Sequence, residues 1–187
     1  MSWTEKKIEQ ASFRSFLIWF ALLFVYSFWA FTIPGPWSRA ITAAGGKLPE
    51  TQPGLPAIEP VRSLEALSQN MNDYLLWQVL DIPYFVLTFL ASTAAIALGL
   101  KMAGKWGRVF KIVLFLPAIY VVAELIENSL LTLFAAGIIA PVEPLVLVQQ
   151  IATTLKFSSA MPAMLFSLIG IVFATIVLVI GAVRKNS

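Results

Sequence analysis

The chain contains neither cysteine nor histidine. Without cysteine there is no structural disulfide, no thiolate nucleophile and no Cys-ligated zinc or iron–sulfur site. Without histidine the commonest general base, haem ligand and zinc ligand is missing as well. Charge is scarce: 12% of the 187 residues are Asp, Glu, Lys or Arg, against 59% hydrophobic, and the mean hydropathy is +0.83. Such values lie outside the range of ordinary soluble domains and imply an integral membrane protein. Acid and base chemistry must then fall to carboxylates, Tyr or Lys, and no cofactor is expected. The net charge of +3 does not point to nucleic acid. Its basic residues lie beside apolar runs instead of forming one patch interleaved with aromatics. There is no internal repeat or glycine-rich phosphate loop.

What is present is a series of long apolar runs. They predict an all-α, four-helix membrane bundle forming a single domain over residues 1–187, with spans at about 15–33, 74–100, 109–136 and 155–183. The first run lacks a small-x-small cleavage pattern, because Phe28 stands three residues before a cut after Ala30, so an uncleaved span is expected over a signal peptide. Residues 34–73 are expected outside the membrane. Prolines at 49, 53, 56 and 60 predict an irregular loop over about 34–60. Val61, Leu64, Leu67, Met71 and Leu75 then recur at helical intervals, predicting an amphipathic helix. Residues 137–154, broken by Pro141 and Pro144, are expected to form a second outer connection. The Trp residues mostly fall near predicted interfaces and read as anchors, while Ala91, Ala94, Ala95, Gly99, Gly170 and Ala174 read as sites of close helix packing.

Nine Lys and Arg residues lie at the two termini and in the 101–111 connection, against four in the remaining segments. The positive-inside rule therefore places both termini in the cytoplasm. Within this frame Tyr120-Val-Val-Ala-Glu-Leu-Ile-Glu-Asn-Ser-Leu-Leu131 needs an explanation. Glu124, Glu127 and Asn128 share one helix face with Tyr120, and ionisable groups at membrane depth cost roughly 2.5 to 3.5 kcal/mol each. At 1.5 Å per residue, Asp81 and Tyr26 lie about 10 Å, Glu127 roughly 13 Å and Glu124 roughly 18 Å below the outer ends of their spans. Lys156 is shallower. The expected arrangement is an outward-opening chamber in which Asp81, Glu124 and Glu127 face Tyr84, Asn128 and Lys156. Three acids in low dielectric cannot all stay ionised without partners, so at least one is expected to keep its proton near neutrality.

Such a constellation fits proton transfer to a lipophilic ligand, with Asp81, Glu124 and Glu127 as acid/base groups and Tyr26, Tyr84, Tyr120, Asn128 and Lys156 as ligand-binding groups. It equally fits a hydrogen-bonded cluster holding a structural subunit of a larger membrane complex together. A proton- or cation-coupled transporter or channel is a third reading, and it would require a homo-oligomer. No metal site is expected, since the Glu-x-x-His pair of di-iron bundles is absent.

Asp81-Ile-Pro-Tyr84, Glu124-Leu-Ile-Glu127-Asn128 and Lys156 resemble a pattern of small, uncharacterised bacterial four-span membrane proteins, with Glu124 departing from the Asp of that pattern. The resemblance covers about residues 61–160 and implies a bacterial inner-membrane location without an activity. In architecture the chain is similar to the sigma-2 receptor and sterol isomerase superfamily, whose paired acids face a lipophilic pocket. That likeness implies a sterol- or isoprenoid-sized ligand.

Overall fold

A computed structural model describes residues 2–32, 34–52, 71–104 and 109–186. These residues form six α-helices and two short 3₁₀ turns, with no strand among them. The expected helical pattern at Val61, Leu64 and Leu67 lies outside the described residues, as do the last three prolines of the loop and Lys105, Trp106 and Arg108 of the basic connection.

Helix α1 (Trp3–Gln10) opens on a capping box. Glu5 N–H donates to Ser2 Oγ at 3.3 Å and Ser2 N–H to the Glu5 carboxylate at 2.9 Å. Helix α2 (Phe13–Phe31) is capped by Ser12 and is hydrophobic around most of its circumference. Residues 34–52 are more ordered than their prolines suggest. Pro36 takes the first position of α3 (Pro36–Ala43), where the missing N–H would have had no partner. Gly45 and Gly46, at φ 63° and 94°, end that helix in a backbone conformation open to glycine. The chain then folds back into a 3₁₀ turn at Pro49–Thr51.

The remaining helices are α4 (Met71–Met102), α5 (Phe115–Ala135), preceded by a 3₁₀ turn at Phe110–Leu114, and α6 (Glu143–Asn186). Helix α6 starts a dozen residues before the expected boundary. Pro144 falls in its first turn, so it opens the helix instead of breaking the connection. Three helices, α2, α4 and α6, are long and apolar enough to cross a membrane. Helix α5 occupies the stretch expected of a third span and packs on both α4 and α6.

Two apolar clusters set the order of side chains along the bundle. Tyr74 and Trp77 of α4, Leu131 and Phe134 of α5 and Val146 of α6 join Leu48 in one. Ala95, Ile96 and Leu98 of α4, Leu114 before α5 and Ala174 of α6 form the other. Helix α5 therefore runs antiparallel to its two neighbours. On all three helices the stretch between the clusters carries the buried polar residues.

Helices α4 and α6 meet backbone to backbone at glycine. A Cβ on Gly99 would stand 2.4 Å from Gly170 Cα, and one on Gly170 would stand 2.9 Å from the Ala95 carbonyl oxygen. Neither neighbour is a flexible side-chain end, so backbone would have to move. Gly99→Ala is expected to destabilise the protein by about 1–3 kcal/mol, the usual cost of overpacking. Unfolding measured in micelles checks this, and unchanged stability would remove the close crossing.

Candidate functional site

The polar layer is built from three strands of contact. The first joins α5 to α6: the fully buried Glu127 accepts hydrogen bonds from both Lys156 Nζ and Thr153 Oγ1. Thr153 Oγ1 in turn accepts from Gln149 Nε2 at 2.8 Å, and Gln149 Oε1 from Gln150 Nε2 at 3.1 Å. Lys156 also lies 3.5 Å from Glu124 Oε2, an ion-pair distance at which that oxygen still makes no hydrogen bond. The second contact joins α5 to α4, where Asn128 Nδ2 donates to Asp81 Oδ2 at 2.7 Å. The third brings in the segment after α3: Glu50, in the Pro49–Thr51 turn, accepts from Tyr74 Oη at 3.1 Å and from Gln78 Nε2 at 3.3 Å.

These contacts surround a cavity of about 220 Å³. Asp81, Tyr84, Tyr120, Glu124 and Lys156 all line it, so five of the eight residues singled out from the sequence meet in one space. Glu127 and Asn128 are not part of the lining: Glu127 neutralises Lys156, and Asn128 orients Asp81. Tyr26 is not part of it either, and its hydroxyl ties α2 to α4 by donating to the Leu80 carbonyl. On the side facing α3 the wall is aromatic. The Trp37 and Trp77 rings lie 4.9 Å apart between centroids, and Phe31 meets Tyr84 edge-on at 5.0 Å. Two tryptophans that read as interface anchors thus form part of the chamber.

Sequence reasoning missed Glu50, Gln149 and Thr153. Gln149 and Thr153 have the i, i+4 spacing of one helix face, a signal hidden when residues 137–154 are read as a connection. For Glu50 there was little signal, because its position depends on how the chain folds back after α3. Among the described residues no three of His, Cys, Asp and Glu stand close enough to hold a metal ion. No protein-family model matches the chain, and neither a curated protein nor a solved structure matches it.

Glu50 lies outside the long helices yet is buried, and burial pushes its carboxyl up from 4.5 to about 7, against the opposing pull of a backbone hydrogen bond and of Lys156. A carboxyl raised in the folded state binds protons more tightly than in the unfolded chain. Its contribution to stability is complete below about pH 4.5 and is lost as pH rises through about 7. Melting curves across this interval should fall more steeply with pH for the wild type than for Glu50→Gln. Parallel curves would contradict the burial argument.

The ion pair gives a second expectation. Lys156→Met leaves the Glu127 carboxylate without its counter-charge and should cost about 3–5 kcal/mol, whereas Lys156→Met combined with Glu127→Met should recover much of the loss. A double-mutant cycle on unfolding free energies measures the difference. Additive losses would mean that the two side chains do not act as a pair.

Proposed function

We propose that the chamber is an intramembrane site that binds a lipophilic molecule and exchanges protons with it, in a protein of four spans whose termini both face the cytoplasm. On this reading α5 is the fourth span, packed on α4 and α6 with Ile119, Val122, Leu125 and Ile126 on its exposed face, and the excess of Lys and Arg at the termini and in the 101–111 connection sets the orientation. The bacterial inner membrane is the proposed location. The observation that carries the reading is a cavity with carboxylates on one wall and aromatic rings on another. Aromatic surface receives an apolar body, and a few convergent polar groups fix its orientation.

Asp81 and Glu124 are the proposed acid/base pair. Both line the cavity, on different helices, and Lys156 lies against Glu124. The group that holds a proton donates it to the ligand, and the ionised partner accepts one in return, the division of labour that isomerisation by proton transfer requires. Glu127 moves from the reacting pair to a positioning role, since its carboxylate is occupied by Lys156 and Thr153. Tyr84 and Tyr120 orient the ligand. A specific observation also favours a second reading, a structural subunit of a membrane complex: the Glu127, Thr153 and Gln149 side chains bind α5 to α6 by hydrogen bonds and line no part of the cavity.

Asp81→Asn and Glu124→Gln keep the size of each side chain and separate the two readings. If the chamber transfers protons, each variant should fold with near wild-type stability and lose about 10²–10⁴-fold in turnover of the co-purified lipid. Native mass spectrometry of the gently extracted protein identifies that lipid, and turnover is then followed directly. Wild-type turnover in both variants would overturn the proton-transfer reading, and loss of a large partner in their place would favour the structural one.

A further inference from the structure

A second cavity continues the chamber along the bundle. It is an apolar groove of about 490 Å³ between α2 and α6 with α4 as its floor, and it shares Tyr84, Thr88, Ser92 and Met164 with the chamber wall. The groove exists because α2 packs chiefly on α4 and makes little contact with α6. Ala91 and Ala95 keep the floor low, while Phe20 and Leu168, both substantially exposed, form the sides. Together the two volumes fall within the range of about 300–1,000 Å³ common to small-molecule sites. At the junction Thr88 is 7% exposed, and its hydroxyl makes no hydrogen bond. This buried hydroxyl stands at the joint of the two cavities, beside Tyr84.

We infer that chamber and groove form one site for a single-chain amphiphile, with a protonated amine head among the carboxylates and an alkyl or isoprenyl chain in the groove. The inference rests on the chamber being a ligand site, as proposed above, and adds the chemistry of both ends. The head follows from charge. Glu50, Asp81 and Glu124 face the cavity, and the one cation among the described lining residues, Lys156, is bonded to Glu127 behind the wall and lies 3.5 Å from Glu124. A carboxylate or phosphate head would meet three acids and would have to draw Lys156 from its partner. An ammonium donates hydrogen bonds instead, and Glu124 Oε2 has none. The chain follows from continuity, because the groove is the apolar space that opens directly from the chamber.

The test uses the full chain in phosphatidylcholine nanodiscs and a long-chain alkyl amine bearing a photoreactive diazirine at the chain end. The acid and alcohol of the same chain length serve as competitors. Adducts are expected on α2 near Phe20 or on α6 near Leu168. The unlabelled amine should compete at least about tenfold better than the acid, the equivalent of one charge-assisted hydrogen bond. Asp81→Asn with Glu124→Gln should weaken the amine by a similar factor and leave the alcohol nearly unchanged. Adducts confined to chamber residues, or an acid that competes as well as the amine, would overturn this inference while leaving a ligand in the chamber. Labelling spread over the outer helix faces and indifferent to all three competitors would overturn both this inference and the reading beneath it.

Discussion

The bond between Lys156 and Glu127 is the constraint on which the bundle's arrangement depends. Helices with apolar side chains around most of their surface can slide or rotate against one another at little cost, since each register buries similar groups. A lysine on α6 and a glutamate on α5, both nearly inaccessible to solvent, remove that freedom. Any register that separates them leaves two uncompensated charges in a low-dielectric interior, a penalty of several kcal/mol for each ion. Such a pair adds less net stability than its strength suggests, because desolvation opposes it. Its use is to select one register, as single polar residues do in coiled coils.

With that register set, the other contacts fall into place. The Thr153 and Gln149 side chains satisfy what remains of the Glu127 environment. Asn128, one position along α5, reaches across to Asp81 and fixes α4 at the same level. Apolar clusters close the layer above and below. A space then remains where the polar side chains of three helices do not fully fill the interior, and the Pro49–Thr51 turn covers it from the α3 side. The structural network and the open chamber are therefore adjacent parts of one layer with different occupancy. In one part the Glu127 carboxylate has both its oxygens bonded; in the other Glu124 Oε2 is left without a hydrogen bond.

Much of this was legible in the sequence, because helix periodicity is a strong constraint. The i, i+3 and i+4 spacing of Glu124, Glu127 and Asn128 required a single polar face on α5, and residue rise placed Asp81 at a comparable level. Lys156 was identifiable as a lone cation at the edge of an apolar run. The division of labour was not legible. Periodicity puts Glu124 and Glu127 on one face, but a difference of about 60° around the axis decides which meets the cavity and which meets α6. Helix limits were misread wherever proline stood in a first turn, at Pro36 and Pro144, since composition alone does not distinguish a helix opener from a breaker. Glu50 lay beyond reach because its burial is decided by a tertiary contact with α4.

That glutamate bears on the absence with which the sequence began. Among side chains in their ordinary states, only imidazole changes charge in the middle of the physiological range, and this chain has none. By enclosing Glu50 against Tyr74 and Gln78, the fold moves a carboxyl group into that same range. Neutral-range titration is here a property of placement instead of residue type. It resides in a short turn outside the long helices, at the wall of the chamber.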